Sequence, residues 1–233
     1  MQAASNYAEF ETQKEIVMKL RAAKYFLILT AAAFMLNFKM YGQTIIYRTL
    51  PGSRMWIDGT STLNDYTCKT NEVEGYAQVN NLPDLNDGTS RKNKAFLTVT
   101  VQSLNCGLEL MNEDMYNAMK SKKYPFIKYE LLNAHLLSSE DSTGGWFKLQ
   151  TTGNLSIAGD TCKVKIVMKV RKVVDGIYRL IGSKTLTMKQ FGIIPPTHFF
   201  GLIRAHEGLT VHFDLLAAKS SVSEYVVHTR ELR

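Results

Sequence analysis

The ten residues from Cys162 to Arg171, CKVKIVMKVR, alternate between apolar and basic, and this limits the fold more than any other stretch. Cys162, Val164, Ile166, Met168 and Val170 share one side. Lys163, Lys165, Lys169 and Arg171 share the other, with Val167 as the only apolar intruder. A period of two means a β-strand with one dry face and one wet face. Upstream, Phe147, Leu149, Thr151, Gly153, Leu155 and Ile157 repeat the same parity. Ala158-Gly159-Asp160 between the two runs is a tight-turn signal, because Gly and Asp tolerate positive φ. The pair predicts a long antiparallel hairpin.

Further short strands are expected at Arg54–Asp58, with a turn at Gly59-Thr60-Ser61-Thr62, and at Leu63–Thr70 and Val73–Val79. Ala95–Ser103 alternates again, with Leu97, Val99 and Val101 on one side. Leu82–Lys94 is a polar loop by composition. One helix is expected, Asn112–Lys120, with Met111, Met115 and Met119 on one face, Asn112 as its cap and Pro125 beyond its end. Phe126–Leu137 reads as a strand whose parity slips between Leu131 and Leu132, the mark of a bulge. Ile177–Met188 and a closing strand through Leu209, Val211, Phe213 and Leu215 follow. Many strands at short spacing with one helix predict an all-β fold in which the antiparallel sheet closes. No repeat or internal domain boundary is visible in the 233 residues.

Tyr25–Phe38 is strongly apolar, preceded by Lys19, Arg21 and Lys24 and closed by Lys39. It is short for a membrane span, which needs about 20 residues, and it has the layout of a secretory signal peptide. An uncleaved anchor is the second reading and a buried helix the third. Met18 reads as the natural start, which makes 1–17 a leader extension and 18–42 the signal. The expected location is periplasmic or secreted. Export permits a disulfide, and of three cysteines Cys68 and Cys106 lie outside the alternation that buries Cys162. Either these two pair or all three are buried thiols. The net charge of +7 has little bearing on partners: residues 1–42 hold five basic and three acidic residues, which leaves 23 against 18 elsewhere. That surplus lies along strand faces and shows no aromatic-interleaved cluster, so nucleic acid is not expected as a partner.

No nucleophile elbow, phosphate loop or zinc spacing occurs; His206 and His212 do not have the H-E-x-x-H spacing, and no metal or cofactor is expected. Asn154-Leu155-Ser156 is a sequon, but it falls inside a strand.

Four segments in order carry a resemblance. They are Trp56-Ile57-Asp58-Gly59-Thr60-Ser61-Thr62; Met119 to Tyr129, with Tyr124-Pro125-Phe126-Ile127; Gly153-Asn154-Leu155-Ser156-Ile157-Ala158-Gly159; and Phe191-Gly192-Ile193-Ile194-Pro195-Pro196. Together they resemble the YceI-like family of lipid- or polyisoprenoid-binding proteins. The resemblance implies a lipocalin-like antiparallel β-barrel of about eight strands with one or two short helices. It would span 54–218, after a linker at 43–53 and before a tail at 219–233. It also implies a non-catalytic protein that sequesters or carries an isoprenoid-type lipid. Inward candidates to line the lipid site are Leu97, Val99, Val101, Phe147, Leu149, Leu155, Val164, Ile166, Met168, Val211 and Phe213. The same residues could equally fill an ordinary core. Phe191, Ile193, Ile194, Phe199 and Phe200 make the densest apolar loop, which at a barrel mouth would gate ligand entry or touch a membrane surface transiently, or else would plug the barrel end. Two rival functions stand beside the carrier: an enzyme on a small lipid, with polar groups near His198 or Lys189, and a filled-barrel interaction protein.

Overall fold

A computed structural model describes residues 44–79, 93–138 and 144–220, without the side chains at 198 and 199. The expected signal and leader, most of the polar loop before Lys94 and all but the first two residues of the tail lie outside the described residues. The described residues all belong to one compact unit.

Eleven strands build the sheet: β1 (Ile45–Thr49), β2 (Arg54–Ser61), β3 (Asp65–Thr70), β4 (Val73–Val79), β5 (Lys94–Thr100), β6 (Phe126–Ser138), β7 (Trp146–Ile157), β8 (Asp160–Val174), β9 (Ile177–Thr187), β10 (Thr197–His198) and β11 (Ile203–Ser220). They amount to eight staves. β1 and β2 lie end to end along β11, which pairs with β2 from Ala205 to Asp214 and with β1 from Ala217 to Ser220. β3 and β4 continue each other in the same way, β3 against β2 and β4 against β1. From β4 the ladder runs through β5, β6, β7, β8 and β9 back to β11, every neighbour antiparallel, so the sheet closes. β10 pairs only with the start of β11.

Local chemistry explains the joints. Between β1 and β2 the chain turns at Pro51-Gly52, where Gly52 has φ 93°. The Ser53 hydroxyl replaces the missing ladder bond, accepting from the Leu216 N–H at 3.1 Å and donating to its carbonyl at 3.3 Å. The β7–β8 hairpin turns on Ala158 and Gly159, both at positive φ, as a two-residue turn between long strands favours. The slip in β6 is a bulge: Leu131 pairs with Gly153 and Asn133 with Thr152, which pushes Leu132 out to solvent. Gly153 is required because the Tyr129 ring and the Glu130 carbonyl occupy the space of a Cβ.

One end of the barrel is packed shut. Met55, Ile57, Val99, Val101, Leu104, Ile127, Ile157, Val164, Leu186, Met188, Phe191 and Ile193 form a single buried cluster there. Helix α1 (Glu109–Ala118) covers it, with Met119 just beyond the helix end buried in the same cluster. A disulfide, Cys68–Cys106, and a two-way bridge between Lys69 and Asn105 (2.8 and 2.9 Å) tie the segment before the helix to β3. Cys162 is the free cysteine among the described residues.

Four sequence expectations need correction. The 43–53 linker contains β1, a stave without which β4 and β11 would be open edges. Gly59-Thr60-Ser61 continues β2 instead of turning, and the turn comes at Thr62-Leu63. The helix starts at Glu109 with Leu108 as its cap residue and no side-chain cap; Asn112 lies inside it and accepts from the Cys106 N–H at 2.7 Å. β11 begins at Ile203 and reaches Ser220, past the expected boundary.

Two measurements follow from the architecture. The disulfide closes a sequence separation of 38 residues, which in the chain-entropy account stabilises by about 4 kcal/mol. Urea denaturation of the Cys68→Ser/Cys106→Ser variant should show a loss of up to that size with the barrel intact in water. On the outer face, Asp214 accepts from Arg179 (2.7 Å to each oxygen) and from Arg54 (2.9 Å). The bond to Arg179, then the one to Arg54, hold its carboxyl below the usual carboxylate range against the opposing effect of burial. That stabilisation is complete above the unfolded carboxyl pKa near about 4 and is lost as pH falls through the lower folded value. Asp214→Asn should therefore cost about 1–2 kcal/mol at neutral pH and almost nothing at the acid end of a thermal-melt series.

Candidate functional site: an apolar cavity in the barrel

The alternation seen in the sequence sets the inner wall. In β8, Val164 and Val170 are buried while Lys163, Lys165, Val167 and Lys169 are exposed. Above the packed end the inward side chains do not meet across the axis. They leave a cavity of about 340 Å³. Leu97, Phe147, Leu149, Leu155, Ile166, Met168, Val211 and Phe213 all line it and are only half-buried, since one side of each faces the empty space. The cavity runs from Phe191 and Ile193 at the closed end toward Tyr47 and Tyr178 at the other. A volume at the lower end of the range for small-molecule pockets suits a single lipid chain. The lining is aliphatic and aromatic, which rewards burial of hydrocarbon and offers few hydrogen bonds to a polar ligand.

Of the residues read from sequence, Leu97, Val99, Phe147, Leu149, Leu155, Ile166, Met168, Phe191, Ile193, Val211 and Phe213 line this cavity. Val101 and Val164 do not; both are buried in the closed end, Val101 in a 3-10 turn that follows β5. Phe200 is fully exposed away from the cavity, so the apolar loop divides: Phe191 and Ile193 plug the barrel, and Ile194 and Phe200 face solvent. The Phe199 side chain lies outside the described residues. Lys189 is exposed in the 3-10 turn Met188–Phe191. Sequence reading missed Met55, Ile57, Tyr129, Thr151 and Leu180, which also line the wall. Met55 and Ile57 alternate with Arg54 and Asp58, a signal as plain as that of β8 but only five residues long. Lys184 sits on the inward parity of β9, between Gly182 and Leu186, and its side chain contributes to the lining as well.

Two polar groups in the middle of the wall engage each other. The Tyr129 hydroxyl donates to Thr151 Oγ1 at 2.9 Å, and the Thr151 hydroxyl donates onward to the Ile166 carbonyl at 3.4 Å. Burial raises the Tyr129 phenol above its ordinary pKa, opposed by the Thr151 bond. At the other end Tyr47 and Tyr178 meet edge to face, with centroids 5.5 Å apart, and burial followed by the Tyr178 contact raises the Tyr47 phenol. On the outer face, His212 stacks on Trp56 and meets Asp58 at 3.1 Å. A double-mutant cycle tests the inner pair. Thr151→Val alone should cost about 1–3 kcal/mol by leaving the Tyr129 hydroxyl unpaired, and adding Tyr129→Phe should recover part of that loss in urea melts.

Comparison with known proteins agrees with this geometry. The description "YceI-like domain" matches residues 52–217. A solved structure of Burkholderia cenocepacia BcnA is 13% identical, covers 71% of this chain and 96% of its own, and superposes with a TM-score of 0.54. A polyisoprenoid binding domain from Saccharophagus degradans implicated in plant cell wall breakdown is 11% identical, with 76% and 100% covered and a TM-score of 0.56. A search of curated proteins found no match. Both structures share the fold, and the domain match covers most of the barrel: this chain belongs to the YceI-like family.

Proposed function

We propose that this protein binds an isoprenoid-type lipid in the barrel cavity and carries or sequesters it by burial, without catalysis, after export to the periplasm or beyond the cell. The hollow barrel carries the reading: an apolar space of about 340 Å³ inside a wall that is otherwise tightly bonded. Each Å² of chain buried contributes on the order of 25 cal/mol, so a chain that fills the cavity can bind without a strong polar anchor. The branched and aromatic lining suits a methyl-branched chain, because side chains such as Ile166, Val211 and Phe213 can pack between the methyl groups. Family membership supports the ligand class, since one solved domain with this barrel is described as polyisoprenoid-binding. Export is supported by the Cys68–Cys106 bridge, which persists in oxidising compartments, and by the basic-then-apolar segment at 19–38.

Organic extraction of the protein purified from an exporting host should release a polyprenyl-chain lipid detectable by mass spectrometry. A Leu149→Trp/Leu180→Trp variant fills the cavity from β7 and β9, the two strands that flank β8. It should release little lipid and melt no lower than the parent. An extract free of lipid, together with no uptake of a polyprenyl alcohol, would sink the proposal.

A further inference from the structure

The closed end of the barrel carries a second set of features that the cavity does not use. Beyond the plug, Ile194 is 84% exposed, Leu202 is 78% exposed, and Phe200 projects fully into solvent. Phe200 holds a left-handed backbone, φ 54° and ψ 30°, which a bulky residue rarely adopts. Leu63, 71% exposed, stands beside Leu202, because Thr62 donates to the Leu202 carbonyl at 2.9 Å and to the Arg204 carbonyl at 3.0 Å. Leu63, Phe200 and Leu202 therefore protrude from two neighbouring turns, and Ile194 from the segment that leads into the second. Together they form an exposed apolar tip.

Lysines gather around the plug at the same end. Cys162 Sγ donates to the Gln190 carbonyl at 2.9 Å, and the Asp160 carboxylate lies against Gly192, so the plug sits beside the start of β8. Lys163 and Lys165 project outward there, and Lys189 is exposed on the plug itself. The Tyr124 ring covers Gly159 at the β7–β8 turn, with the Lys123 ammonium 5.2 Å from that ring and Lys122 exposed next to it. Among the described residues none of these five lysines is in an ion pair. Asp160 lies among them, and the other exposed acidic groups of this end stand apart from the plug, Asp65 and Glu207 on the strands beside the tip and Glu109 and Glu113 on α1.

We propose that this end docks on an anionic phospholipid bilayer, with Phe200, Leu202, Ile194 and Leu63 in the interface and the five lysines on the headgroups. Charge complementarity selects the bilayer: unpaired lysines beside the tip gain from anionic headgroups, while the apolar tip gains only from a surface it can enter. The ladder is also incomplete here. β8 and β9 pair only between Met168 and Val174 on one side and Ile177 and Gly182 on the other. Below Gly182 the seam between them is filled by the plug, whose Phe191 and Ile193 line the cavity. Docking turns that seam toward the bilayer, which connects this surface to the lipid-carrier reading on which its purpose rests.

The test uses residues 43–233, which hold the whole described barrel, so that the apolar 25–38 segment cannot contribute. Vesicles of phosphatidylcholine, with or without phosphatidylglycerol, are sedimented with the protein at low and high salt. The expected result is binding at least tenfold tighter to the phosphatidylglycerol vesicles, weakening with salt. Phe200→Ser/Leu202→Ser should lose at least tenfold, and Lys163→Gln/Lys165→Gln several-fold on the anionic vesicles only. Uptake of a polyprenyl alcohol and the melting temperature should stay unchanged in both variants, which separates a failed docking surface from a failed cavity. Absence of sedimentation, equal binding to both vesicles, variants that bind as the parent does, or retention on a soluble polyanion without vesicle binding would each overturn the proposal.

Discussion

β11 is the strand on which the barrel depends. Its 18 residues pair with β9 along one edge and with β2 and then β1 along the other, so it alone joins the last stave to the first. Closure removes the exposed edges that an open sheet of this length would present to other chains. It also fixes which parity faces in. Once Val211, Phe213 and Leu215 turn inward, register obliges their partners Lys184, Gly182 and Leu180 to do the same. That is why a lysine lies on the inner face of β9: the ladder places it there, whatever its own preference.

Closure would leave a uniform tube, and side-chain size makes it asymmetric. Toward the closed end, long side chains from α1, the 3-10 turn and the strand ends interlock around Phe191 and Leu104. Higher up, glycines face aromatic or branched neighbours. Phe213 occupies the space of a Cβ at Gly182, and Leu97 the corresponding space at Gly75. Each large residue lies over a missing side chain, along the wall instead of across the axis. The space saved along the axis is the cavity.

Much of this was legible in the sequence where alternation ran long. β7 and β8 could be read residue by residue, and the β6 bulge showed as a parity slip at Leu131 and Leu132. Strands of five residues could not be read so well. β1 carries Ile45, Ile46, Tyr47, Arg48 and Thr49, whose mixed pattern resembles a linker, and only pairing with β4 and β11 reveals it as a stave. Val101 failed for a different reason: its parity continues from Leu97 and Val99, but the strand stops at Thr100 and the chain coils into a 3-10 turn. Periodicity shows which side a residue takes while the strand lasts. It does not show where the strand ends. Nor does it distinguish a lined space from a filled one, because Val164 and Ile166 share one face and differ only in what reaches them from across the barrel.

A hollow of this size is a thermodynamic statement about the protein. At roughly 24 cal/mol per Å³ of unfilled core, an apolar space of about 340 Å³ forgoes on the order of 8 kcal/mol relative to the same barrel packed solid. That is comparable with the whole stability of a typical domain. Such a barrel needs rigidity from outside its core, and it has it in closed hydrogen bonding, in the Cys68–Cys106 bridge and in the Arg54–Asp214–Arg179 cluster that spans three adjacent strands. The free energy missing from the centre is also what a hydrocarbon chain can supply on arrival. A wall held open from outside gives that chain a preformed site, so binding does not first have to separate packed side chains.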